Sequence, residues 1–194
     1  MRKLIGVICV ILGTVCILSS VGFVVYNRIE SEDAKNTSVS LLKEVKGVIA
    51  KKSDEQKNVG TKMATVKVDG YDCIGFLSIP VLNLELPVLT DWSYEKLKKA
   101  PCHYYGSCYE KDLVIAAHNY KSHFGRLSEL KAGDIVVFTD VSGAVHCYEA
   151  VVVETLPKNA TKEMITSGFD LSLYTCTPGG NNRATVRCRV VESN

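Results

Sequence analysis

Hydrophobic and polar positions divide the chain into three stretches of different texture. Residues 4–26, LIGVICVILGTVCILSSVGFVVY, carry no charged side chain. At about 1.5 Å per residue, a helix of that length crosses a hydrocarbon core of roughly 30 Å. A buried core helix rarely runs so far without a polar face. The stretch also exceeds the apolar region of a cleaved signal peptide, and no small-x-small cleavage site follows it. Residues 1–26 are therefore expected to form a short tip and an uncleaved transmembrane anchor. Residues 27–68 are polar, with Val39, Leu42, Val45 and Ile49 recurring at helical spacing. That pattern predicts a short amphipathic helix in a stalk, a spacer lying loosely on the next domain or free of it.

Residues 69–194 change texture again. Short apolar runs read as strands of four to eight residues: CIGFLSIP, LELPVL, DLVIAAH, DIVVFTD, HCYEAVVVETL, LSLYTC and RATVRCRVV. Glycine, proline, asparagine and aspartate punctuate the gaps, and short helices are expected near SYEKLKKA and TKEMITSG. Many short strands in one small domain predict a mostly β fold, a closed barrel or a sandwich.

Charge changes this picture little. In 194 residues, 23 basic side chains face 21 acidic ones, so the dense positive field of a nucleic-acid binder is missing. Around the anchor the distribution matters more. Arg2 and Lys3 precede it, while Glu30, Glu32 and Asp33 follow alongside Arg28. The positive-inside rule then puts the N-terminus in the cytoplasm and the β domain outside. Of eight cysteines, Cys9 and Cys16 fall in the anchor and six in the domain, where an exported protein could pair them.

Candidate chemistry concentrates at two strand ends. His118 closes DLVIAAH and Cys176 closes LSLYTC. A thiol gains reactivity from a neighbouring base or cation. If residues 171–176 and 183–191 form a hairpin around TPGGNN, Arg183 faces Cys176 across the first pair beyond the turn. Ala184, Val186, Cys188 and Val190 then share an apolar face, and Arg183, Thr185, Arg187 and Arg189 a cationic, solvated one. A cation at that place favours thiolate or stabilises an oxyanion. Paired zinc-ligand spacings such as CxxC are absent from the sequence, so no metal site is expected.

These segments together resemble the sortases. LYTCTPGGNNRATVRC (173–188) is similar to that family's active-site signature, with Tyr174 where a leucine is usual and a short loop before the arginine. AAHNYKSHFGRLSELKAGDIVVF is similar to its histidine segment, GFLSIPVLNLELPVL to its first barrel strands, and YYGS to the short loop before the histidine. The resemblance spans roughly residues 71–191. It implies a closed eight-stranded barrel carrying a cysteine transpeptidase. Cys176 would be the nucleophile, His118 the general acid and base, and Arg183 the oxyanion and substrate ligand, with Thr175 a substrate contact. It further implies an LPxTG-like sorting signal on exported proteins, cut between Thr and Gly. An amine acceptor such as a peptidoglycan precursor or a pilin would resolve the thioester. No cofactor is required, and calcium activation stays open. Too few residues separate His118 from Cys176 for a large added helix, and the stalk holds no DPW-like lid motif, so the resemblance is to the class A or D form. Two other readings compete, a hydrolytic cysteine peptidase on the same barrel and a non-enzymatic anchored binding domain.

Overall fold

A computed structural model describes residues 2–55 and 62–191, with backbone alone at Arg2 and residues 52–55. Its first element, α1, runs without a break from Arg2 to Glu55. The apolar residues of 4–26 are exposed along its N-terminal half, and the helix is long and apolar enough to cross a membrane. The backbone shows no joint at Tyr26, where anchor and stalk were expected to meet.

The second half of α1 differs from a loose spacer. Ala34, Ser38, Leu41, Val45 and Ile49 form a buried stripe at spacings of three and four. Leu41, Val45 and Ile49 pack with Val68, Cys73, Leu89 and Leu97 in one hydrophobic cluster. Burying each such aliphatic side chain contributes about 1.5–3 kcal/mol. Val39, expected on the inner face, is 59 % exposed. Serine and alanine at 38 and 34 hid the true stripe, because small residues mark close helix approach without raising hydrophobicity. Salt bridges flank it: Glu30 with Lys98 at 3.1 Å, Asp33 with Lys99 at 2.7 Å and Lys46 with Glu85 at 2.7 Å. Stalk residues 56–61 lie outside the described residues.

Among the described residues nine strands follow: β1 (Val66–Val68), β2 (Tyr71–Ile79), β3 (Leu84–Leu89), β4 (Cys102–Tyr105), β5 (Leu113–Ala116), β6 (Ile135–Asp140), β7 (Val145–Pro157), β8 (Leu171–Cys176) and β9 (Asn182–Val190). Eight of them close a barrel in the order β2-β3-β4-β5-β8-β9-β7-β6 and back to β2, while β1 extends the start of β2. Closure leaves no long unpaired edge. The seven strands expected from apolar runs are all present. β1 and β4 were illegible, being three and four residues long and, in CHYY, lacking apolar alternation. The barrel interior holds Leu77, Ile79, Leu113, Ile115, Phe138 and Tyr148, all essentially inaccessible. At Gly75 φ is 155°, and a Cβ there would overlap the Thr139 carbonyl oxygen, so only glycine lets β2 press onto β6 at this bulge.

Two short helices stand where expected, α2 (Tyr94–Leu97) and α3 (Thr161–Ile165). One face of β9 departs from expectation. Thr185 and Arg187 are buried, not solvated. The Arg187 guanidinium donates to Glu154 Oε1 (2.8 Å), Ser172 Oγ (2.8 Å) and the Glu163 carbonyl (2.9 Å), so it staples α3 onto the barrel. All eight cysteines are free.

Candidate active site

Two strands that run parallel bring the site together. β5 pairs with β8 in the register Ala116 to Tyr174. Ala117 N–H donates to the Tyr174 carbonyl at 3.1 Å, and Thr175 Oγ1 donates to the Ala117 carbonyl at 2.8 Å. Carried two residues on, that register sets His118 alongside Cys176. Across the hairpin, Cys176 pairs with Arg183, a neighbour relation that puts Cβ atoms about 4.5–5.5 Å apart. Imidazole, thiol and guanidinium, 65 residues apart in sequence at the extremes, thus emerge from three adjacent strands.

Local structure explains why each side chain is free to act. Cys176 is exposed at its strand end, whereas Cys73, Cys102, Cys108 and Cys188 are buried. Burial pushes those four thiols up, to about 11 for Cys73 and about 12 for the others, and keeps them inert. Histidines sort in the same way. His103 is held between the Thr90 and Gly106 carbonyls, His123 is fully buried, and His146 lies against Asp140. His118 alone of the four is half-buried at a strand end with side-chain bonding only to its neighbour Asn119, at 3.1 Å. Its loop is a tight one. The Tyr120 carbonyl accepts from His123 and Gly125 N–H groups, both at 2.9 Å, and Phe124 anchors the loop in the core. The Arg183 guanidinium donates to the Gly180 and Asn182 carbonyls at 3.0 Å, which folds it over the turn beside Cys176.

Thr175 departs from its expected part as a substrate contact. It is buried, and its hydroxyl is committed to Ala117. In a strand, 175 points opposite to 174 and 176, so the thiol's face carries Tyr174 instead. Tyr174 lines a cleft of about 220 Å³ that ends at Cys176 and Arg183, with Trp92, Tyr104, Ala117 and Met164 in its walls. The rings form an edge-to-face series, Trp92 to Tyr104 at 6.1 Å and Tyr104 to Tyr174 at 5.3 Å. Strand parity from Cys176 could have found Tyr174. Trp92 and Tyr104 carried no such signal, because they reach the cleft only through barrel closure.

One group of ligand-type side chains occurs among the described residues: Cys108, Asp140 and His146. Asp140 is already used there as a turn cap. Its Oδ1 accepts from Ser142 N–H, Ser142 Oγ and Ala144 N–H, and its Oδ2 from the Tyr109 hydroxyl.

A cleft with aromatic walls leading to an exposed thiol, with a guanidinium across and an imidazole alongside, suits acyl transfer from an extended peptide. Comparison with known proteins points the same way. The sortase domain family model matches residues 77–191. Sortase D of Bacillus subtilis (strain 168) is 30% identical over 166 residues, 79% of this chain and 81% of that protein. The fold is shared with a Clostridium perfringens sortase D5 transpeptidase (TM-score 0.61, 16% identity, 81% of this chain and 99% of that one). It is shared also with Streptococcus pneumoniae sortase C (0.60, 21%, 78% and 96%) and sortase A from Corynebacterium diphtheriae (0.55, 16%, 86% and 94%).

Proposed function

The chain belongs to the sortase family of cysteine transpeptidases, and from that premise we propose that it cuts an LPxTG-like sorting signal between Thr and Gly and joins the exported protein to an amine. The observation that carries this reading is the parallel register of β5 and β8, which delivers His118 beside Cys176 while the β8–β9 hairpin sets Arg183 opposite.

The Cys176 thiolate attacks the threonine carbonyl, and the oxyanion that develops is met by the Arg183 guanidinium. His118 as imidazolium protonates the departing glycine nitrogen, so the C–N bond breaks and a thioester remains. An incoming amine, from a peptidoglycan precursor or a pilin, gives a proton to His118, attacks the thioester and releases the Cys176 thiolate, which restores the starting pair. Atoms balance without water, and side chains alone supply the groups, with no cofactor. The peptide's apolar residue would lie among Trp92, Tyr104 and Tyr174. Residues 4–26 would anchor the enzyme in the cell membrane, with Arg2 and Lys3 in the cytoplasm and the barrel outside. There, donor and acceptor are confined to one surface and their effective concentration is high.

The test incubates the full chain with an LPxTG peptide, with and without an amine such as diglycine, and follows product masses. The reading expects a peptide–amine conjugate whose yield rises with amine. A hydrolysed peptide whose yield ignores the amine would make the enzyme a peptidase and overturn the transfer step.

A further inference from the structure

The face of His118 away from its strand is covered by Tyr120. The two rings are stacked, centroids 4.2 Å apart and 4° from parallel. The Tyr120 hydroxyl is buried and makes no hydrogen bond at full bonding geometry. Burial, and after it the charge of the Glu30 carboxylate on α1, holds the phenol well above its usual pKa. Glu30 is itself fixed by Lys98 at 3.1 Å. One turn on, Asp33 binds Lys99 at 2.7 Å, and the Ser38 hydroxyl joins the Lys99 carbonyl (2.9 Å) to His123 Nε2 (3.1 Å). The helix turns nearest the apolar segment therefore grip both the histidine loop and the α2 wall of the cleft.

We propose that Tyr120 is a positioning residue for His118, its stacked ring fixing the plane of the imidazole. This inference rests on the assignment of His118 as acid and base.

The test uses the full chain in lipid nanodiscs with labelled histidine, in a Cys176→Ala background so that no turnover occurs. NMR follows the His118 imidazole, identified by its loss in His118→Gln. Tyr120→Leu should abolish the ring-current shift on the imidazole, and Tyr120→Phe should retain it. With Cys176 restored, Tyr120→Leu should lower kcat roughly ten- to hundredfold at constant KM, with Tyr120→Phe recovering most of it. An unchanged ring-current shift in Tyr120→Leu, or a kcat for that variant equal to the parent's, would overturn the proposal. The NMR arms need no turnover. If they behave as expected while no peptide is transferred, the positioning chain stands and the transpeptidase reading falls.

Discussion

At the scale of single residues, position on a strand decides reactivity. Cys176 and Cys188 belong to the same hairpin, yet one lies at a strand end in solvent and the other inside the barrel, with its thiol pushed up to about 12 by burial. The arginines divide the same way. Arg183 lies beside the thiol, whereas Arg187 is 2 % exposed and tied to Glu154, Ser172, Glu163 and Met164. Arg183→Lys should fold normally and lose nearly all turnover, since lysine lacks the planar fork that holds an oxyanion and a carbonyl together. Arg187→Ala should instead cost about 3 kcal/mol or more of stability, because it strands Glu154 and buried acceptors. Denaturant melts and peptide assays on both variants check this, and an Arg187→Ala protein as stable as the parent would contradict it. His118→Ala should leave Cys176 open to alkylation while slowing transfer by roughly 10²–10⁴; near-normal rates would remove His118 from the mechanism. The convergence of Cys176, His118 and Arg183 was legible because each ends or opens an apolar run, whereas motif position did not show that Thr175 points away from the thiol's face.

Between elements, α1 is held on the barrel by a group that titrates. His123 lies under the helix, donating from Nε2 to Ser38, whose own proton goes to Lys99. Burial, with the nearby His118 charge, pushes His123 down to about 4 from an ordinary 6.5. The folded protein thus binds fewer protons than the unfolded chain between those values, and stability falls as pH drops through that window. One buried histidine with this shift accounts for on the order of 3 kcal/mol across it. Between pH 7 and 5 the full chain should lose about 2 kcal/mol, and His123→Leu should flatten that slope. Equal slopes for both proteins in denaturant melts would show that His123 is not the titrating clasp. Sequence periodicity predicted a helix here but not its docking, since Ser38 and Ala34, which make the close approach, carry no hydrophobic signal.

For the molecule as a whole, an unbroken helix sets where the site works. Glu30 follows Tyr26 by four residues and Ser38 by twelve, so the turns that grip the histidine loop lie within roughly 6–18 Å of the apolar segment's end. With residues 4–26 in a membrane, as proposed, the end of the barrel that bears the cleft would face it. A fluorophore on Cys176 should transfer energy strongly to headgroup-labelled lipids in nanodiscs, and transfer no greater than for a label near Lys51 would contradict this orientation. The closed barrel itself was foreshadowed by seven apolar runs and by the sortase-like order of motifs; its closure through β4 depends on contacts that no local pattern records. Acyl transfer by Cys176 passes through one covalent bond, a thioester. Intact mass spectrometry of the full chain after brief exposure to an LPxTG peptide reads that bond directly. The expected adduct equals the peptide through its threonine less one water, mapped to the fragment holding Cys176 and absent from Cys176→Ala. An adduct that persists in Cys176→Ala, or peptide cleaved by that variant at the parent's rate, would contradict acyl transfer by Cys176.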